Sequence, residues 1–223
     1  MIPKVELPAA ETGPQASLGP TPVIDSDHPH VFELARGVAG QGSDGARAVR
    51  LFDWVRDLIA YNLTPVLDTR DSWRASLTLK RKNGFCQQKA VLLAAMGRAA
   101  GIPTALCFQH IRDHKLLDGR YAKMLPGGII AYHGLMAFWL EGKWVRADPS
   151  LDADLCNSRR YRRVAFDGVT DALLPATDLD DRPHFDLLEH LGPYADLPGS
   201  IAQLLIDARP IWDSLRAISG SSM

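Results

Sequence analysis

Asn83–Pro103 reads NGFCQQKAVLLAAMGRAAGIP, and the fold turns on how this stretch is understood. From Gln88 to Ala100 it holds strong helix formers and no interior proline, and it closes with Gly101 at a C′ position and Pro103 just beyond. Cys86 therefore stands at the head of a helix. Unpaired backbone N–H groups and the positive end of the helix dipole favour a thiolate there, and the thiolate is the nucleophilic form. The body of the helix, with Ala90, Val91, Leu92, Leu93, Ala94, Ala95, Met96, Ala99 and Ala100, is apolar nearly all round, which suits an element packed on most of its sides. A cysteine beside such a helix is more often an inert core residue, so a reactive role needs support from the rest of the chain.

Upstream, Met1 to Ser26 carries repeated prolines and few large apolar groups, which predicts a flexible arm over residues 1–26 ahead of one domain over 27–223. A helix is expected after Asp27 with Val31, Leu34, Ala35 and Val38 on one face. A second runs from Ser43 or Asp44 to about Tyr61 through Ala48, Phe52, Val55 and Ile59. Asn62 to Lys82 reads as a loop with one short helix near Ser76. Within it Trp73 either packs or lines a cleft.

Downstream, Thr104 to Ile111 reads as a strand followed by a polar turn at Arg112, Asp113 and His114. Leu117 to Gly128 is long enough for a flap. Ile129–Leu140 and Lys143–Asp148 form a hairpin around Glu141 and Gly142. Beyond Pro149 the chain is loop-rich, with a possible strand at Val164–Phe166 and an amphipathic helix from Gly199 to Ile218 that Pro210 kinks or splits. Helices first and an antiparallel sheet second make an α+β arrangement.

The hairpin supplies what a cysteine nucleophile needs, an imidazole and a group that fixes its tautomer. A two-residue turn pairs Leu140 with Lys143 and places Asp148 diagonally from His133, roughly 7 Å away on the same face. A three-residue loop would break that relation. His110, Asp113 and His114 raise a rival metal cluster, but on a strand Asp113 would point away from both histidines.

At 223 residues, with 46% hydrophobic and 23% charged residues, the chain has the composition of a globular protein with one core. A net charge of −1 argues against a nucleic-acid surface, and Arg159, Arg160, Arg162 and Arg163 read as a solvated local cluster. The acidic run Asp178, Asp180 and Asp181 lacks the glycine and terminal glutamate of a calcium loop and also reads as solvated. Three scattered cysteines give no disulfide framework. Cys107 reads as a buried strand residue and Cys156 as a loop thiol. With no signal peptide and no membrane-length apolar run, a cytoplasmic location is expected, with no membrane partner, cofactor or metal.

The stretch NGFCQQKAVLLAAMGRAAGIP followed by YHGLMAFWLEGKWVRADPSLD resembles the transglutaminase-like superfamily, over roughly Arg47 to Leu151. Its pattern is G-x-C before an Ala/Leu-rich helix ending R-A-x-G-I-P, then a strand with His, then W-V-x-x-D-P. The resemblance implies a papain-like fold and a thioester mechanism with Cys86 as nucleophile, His133 as general base and acid, and Asp148 as orienting carboxylate. The implied substrate is a peptide, a protein or a carrier-protein-bound acyl chain. Gln87, Gln88 and Lys89 depart from the acidic-aromatic pair that often follows the family's cysteine. Bacterial relatives with K-A there include Dieckmann-type cyclases, some of which take the third residue from the strand after the thiol helix, where Asp113 stands here. A further alternative is a binding module that keeps the fold without turnover.

Overall fold

The computed structural model describes residues 2–11, 13–117, 122 and 125–220. Its centre is α4, Cys86–Ala99, in which every residue from Cys86 to Arg98 is buried. Three helices and two strands enclose it: α1 (Pro29–Ala39), α2 (Asp44–Leu58), α3 (Ala75–Arg81), β3 (Thr104–Asp113) and β4 (Ile129–Leu140). α1 turns Val31, Ala35 and Ala39 inward, and α2 contributes Ala48, Leu51, Phe52 and Val55. These are the faces their spacing predicts.

α2 is shorter than expected. It stops at Leu58, Ile59 turns extended, and Ala60–Tyr61 (β1) pairs in parallel with Asn83–Gly84 (β2), the two residues that lead into Phe85 and Cys86. The stop has a chemical cause in Lys89, whose Nζ donates to the carbonyls of Arg56 and Ile59 at the end of α2. Trp73 ends a short 3-10 turn over Arg70–Trp73 and is fully buried, so its role is packing.

Four strands form one sheet in the order β5-β4-β3-β6, with every neighbouring pair antiparallel. β4 and β5 (Lys143–Ala147) are the expected hairpin in the expected register, Leu140 opposite Lys143 and Met136 opposite Ala147. Its two turn residues both sit in the left-handed region, Glu141 at φ 48° and Gly142 at φ 81°, a primed turn whose twist matches that of the strands it joins.

The sequence reading misses β6, Phe185–Tyr194, which pairs along β3. Leu187 to His190 are exposed, so the strand shows no inside–outside alternation to read. Its presence also corrects the expected polar turn: Arg112 and Asp113 stay in β3 because Asp186 and Phe185 pair with them. Val164–Phe166 is not a strand. It runs extended with Val164 and Phe166 buried, and the Val164 carbonyl accepts from Arg56. Residues 153–159 form a further short helix, α5 (Ala153–Arg159), capped by Asp152. It places Cys156, expected in a loop, on a buried helical position. The last helical region divides into α6 (Gly199–Asp207) and α7 (Arg209–Gly220), at the break that Pro210 predicts. Half of the expected flap over Leu117–Gly128 lies outside the described residues, and its end, Pro126–Gly128, forms a short 3-10 turn.

The N-terminal segment, expected as a flexible arm, runs irregularly through bends and turns and is packed, not free. Val23 and Ile24 are fully buried, Thr104 N–H donates to the Ser17 carbonyl, and Glu11 N–H donates to the Pro193 carbonyl. Buried Arg98, near the end of α4, supplies the reason. Its guanidinium donates to carbonyls of Gly19, Thr104 and Ala195 and so ties this segment to β3 and to the chain after β6. The basic and acidic clusters are largely exposed, as expected, and pair with one another: Arg160 with Asp180 and Arg162 with Asp181, while Arg163 pairs with Asp57. Asp178 departs from the expectation, being buried and accepting from Lys115 and Arg182.

Candidate active site

Cys86 occupies the first position of α4, and the three residues after it explain how it is held. Gln87 is clamped from both ends: its Oε1 accepts from the Trp73 indole at 2.9 Å and its Nε2 donates to the Tyr132 carbonyl at 2.7 Å. Gln88 reaches back so that its Oε1 accepts from Phe85 N–H, and its Nε2 donates to the Ser72 carbonyl. Lys89, fully buried, caps the end of α2. The Gln-Gln-Lys sequence that departs from the family pattern is thus a set of three buried anchors around the thiol.

β4 brings His133 to the same place. Opposite it, two steps along β3 from Gln109 to Ile111 span three along β4 from His133 to Ile130, so β4 carries a bulge. Tyr132 sits in that bulge at φ 54°, a conformation most residues avoid, directly before His133. Its N–H donates to His110 Nδ1, and its hydroxyl donates to the Pro3 carbonyl and accepts from Val5 N–H. His110 therefore braces the bulge, while His114 bonds Asp186 instead. The two histidines of the rival metal cluster face different partners. Among the described residues no group of three His, Cys, Asp or Glu side chains could hold a metal ion.

Gly134 follows, and it is the reason α4 can come so close. A Cβ there would stand 2.4 Å from Gln87 Cγ and 2.6 Å from Gln87 Cα. Any side chain at 134 would push the start of α4 off the sheet.

The structure brings Asp148 to His133, with Oδ2 2.6 Å from His133 Nε2 and both residues buried. The other carboxylate oxygen accepts from the backbone N–H and hydroxyl of Ser150. With Nε2 committed, Nδ1 is the nitrogen left for the sulfur of Cys86, which lines the same pocket as the ring and lies close enough for its charge to act on it. Burial by itself would lower the proton affinity of His133. The charges of Asp148 and Cys86 outweigh it and lift the imidazole from its ordinary 6.5 to about 10.

Asp113 is also close but is placed differently. Its Oδ1 accepts from Lys115 N–H, and it makes no hydrogen bond to His133. Burial raises its carboxyl to about 6. The two other thiols stay protonated through burial, Cys107 pushed up to about 12 and Cys156 to about 11.

Tyr61 is the functional candidate that sequence reasoning missed. Its backbone N–H donates to Asp152 Oδ2 at 2.6 Å, and its side chain lines the same pocket as Cys86, close enough to feel the charge of the sulfur. Burial, together with the charge of Cys86, drives its proton affinity well above that of free tyrosine, so the group remains a hydrogen-bond donor. The available signal was Lys89. A lysine in an otherwise apolar buried helix needs carbonyl partners, and those carbonyls end α2 immediately before Tyr61.

Two pockets meet at this constellation. The first is lined by Cys86, Tyr61, His133 and mostly apolar residues, and the second by Tyr61, His133, Asp113, Lys115 and Arg159 among others. Tyr61 and His133 belong to both.

Lys89→Met tests the bracing. Leaving two buried carbonyls at the end of α2 without donors should cost roughly 2–4 kcal/mol. Because burial lowers the Lys89 pKa to about 8, below its unfolded value of 10.5, Lys89 contributes a stability increment in the wild-type that grows as pH rises from about 8 towards 10.5, whatever the other groups add or remove. That gain should be missing in the variant, as chemical denaturation at several pH values will show.

Residues 33–149, more than half of the chain, match the model of the transglutaminase-like superfamily. No curated protein matches the chain. Among solved structures, a candidate cysteine protease from Cytophaga hutchinsonii is 18% identical over 78% of this chain and 52% of its own, with a TM-score of 0.46. A candidate protease from Parabacteroides distasonis is 16% identical over 55% and 23%, with a TM-score of 0.38. The periplasmic domain of TgpA from Pseudomonas aeruginosa is 22% identical over 54% and 42%, with a TM-score of 0.40. The chain thus spans about half, or less, of the length of these structures. No helix among the described residues is long and apolar enough to cross a membrane. From the family match, the chain belongs to the transglutaminase-like superfamily.

Proposed function

We propose that the protein is a cysteine-dependent acyl-transfer enzyme that works through a thioester on Cys86. The supporting observation is the buried His133–Asp148 hydrogen bond beside Cys86 in one pocket, at the junction with a second. His133 takes the thiol proton, and the sulfur attacks an amide or thioester carbonyl, forming the C–S bond as the carbonyl π electrons move to oxygen. Cys86 N–H, at the start of α4, and the Tyr61 hydroxyl are the donors placed to receive that oxygen. As the tetrahedral species collapses, the leaving group departs with the proton held by His133. An acceptor, water or an amine, then attacks the thioester, gives its proton to His133 and returns the sulfur to its starting state. A carbon–carbon bond-forming cyclase would share the first half and differ only in using an internal carbanion as acceptor.

Exposure to p-nitrophenyl acetate followed by intact and peptide mass measurement tests the reading. One acetyl group should appear on Cys86 and none on Cys107 or Cys156, whose thiols are buried and protonated. A protein left unmodified, or modified elsewhere, would make it a binding module instead. The pH profile of turnover carries a second signature. Because His133 keeps its proton until about 10, the step that protonates the leaving group should fail only as pH rises through that value. The same ion pair stabilises the fold fully below the ordinary 6.5 and loses that contribution progressively up to about 10.

A further inference from the structure

We infer that the acyl half of the substrate is an apolar chain held in the pocket that contains Cys86, and that the leaving half exits past His133 through the second pocket. The inference rests on the thioester reading above and concerns which groups that reaction accepts. The chemistry assigns the two sides. After attack the acyl carbon stays bonded to the Cys86 sulfur, and Cys86 lines the first pocket but not the second. The leaving atom must meet the proton on His133, which lines both.

The two pockets share Leu63, Leu116 and Ile130 and differ in the polar side chains they add. Around Cys86 stand Leu63, Phe85, Leu116, Ile130, Ala131 and Leu205, contributed by five separate parts of the chain. The polar side chains that border this pocket are already engaged. Both ends of the Gln87 amide are used by Trp73 and the Tyr132 carbonyl, and the Tyr132 hydroxyl is used by Pro3 and Val5. What remains is the reacting set of Cys86, His133 and Tyr61. A carboxamide or charged tip on the acyl group would lose its water here without gaining a partner, whereas methylene groups lose nothing by entering. The second pocket, also largely apolar, adds what the first lacks: the Asp113 carboxylate, the Lys115 ammonium and the Arg159 guanidinium, which a polar leaving group can meet.

A series of thioesters sharing one thiol, N-acetylcysteamine, isolates the acyl side. With the full chain, kcat/KM should rise by roughly tenfold or more from acetyl to octanoyl, since a hydrophobic site discriminates at about that level over small apolar increments. A carboxamide-tipped acyl group of the size of a glutamine side chain should be poorer than its apolar isostere. Leu205→Asn and, separately, Ala131→Asn place a polar group in the wall from α6 and from β4, at positions that line the first pocket and not the second. Each should shrink the octanoyl-to-acetyl ratio several-fold while mass measurement still finds the acyl group on Cys86. A flat series, or a preference for the carboxamide tip, would overturn the apolar assignment and leave the thioester mechanism standing. Absence of any acyl adduct across the series would overturn both.

Discussion

Asp148→Asn is expected to slow acylation of Cys86 by about 10³–10⁴-fold, and Cys86→Ala to abolish it, while Asp113→Asn changes the rate by less than about tenfold. The size of the first effect follows from Ser150. Its N–H and hydroxyl both donate to Asp148 Oδ1, so an asparagine would turn its carbonyl oxygen towards Ser150 and its amide nitrogen towards His133. A donor facing Nε2 forces the ring to carry its proton on Nδ1, the nitrogen left for the sulfur, and the imidazole can no longer act as a base there. Loss of the carboxylate charge also removes what lifts His133 towards 10, so whatever activity remains should fall off at a lower pH than in the wild-type. Asp113, in contrast, bonds Lys115 N–H through an oxygen that asparagine keeps. Single-turnover acylation rates for the three variants decide the matter. A large loss with Asp113→Asn and a small one with Asp148→Asn would reverse the roles of the two carboxylates.

What could be read from the chain beforehand was whatever is decided locally. The helix behind Cys86, the turn at Glu141 and Gly142 and the register of His133 against Asp148 all depend on residues within about twenty positions of one another, where periodicity and turn chemistry act directly. The rest depends on distant partners. β6 is a strand because β3 presents an open edge to it, and its own residues, four of the ten exposed in one run, carry no such instruction. The N-terminal segment looks free by composition and is packed because Arg98, on α4, supplies donors for its carbonyls. Tyr61 lines the pocket of the sulfur because Lys89 ends α2 just before it, a contact across about thirty residues. The residues after Cys86, read as a departure from the family pattern, become intelligible only when Trp73, Tyr132, Ser72 and the end of α2 are seen as their partners.

Gly134→Ala should be among the most damaging single-carbon additions in this protein. The glycine is not required by backbone conformation, since it is absent from the positions with left-handed φ. It is required by distance: the added Cβ would sit 2.4 Å from Gln87 Cγ and 2.6 Å from Gln87 Cα, and a clash with a backbone atom cannot be relieved by turning a side chain. Either β4 or the first turn of α4 must retreat, and that turn carries Cys86 while the neighbouring residue on β4 is His133. Overpacking of this kind costs about 1–3 kcal/mol, and for a chain of this length each kcal/mol lowers Tm by about 2–4 °C. The loss in rate should be larger than the loss in stability suggests. A shift of about 1 Å between nucleophile and base is enough for a roughly 10²-fold drop in acylation even where the protein remains folded. Gly37→Ala makes the same chemical change in α1, where nothing lies within 4 Å of the new atom, and should leave the rate unaltered with Tm equal or slightly raised. Thermal melts and acylation rates measured well below Tm separate the two contributions. If Gly134→Ala melts and reacts like Gly37→Ala, the close approach of α4 to β4 is not what sets the distance between Cys86 and His133.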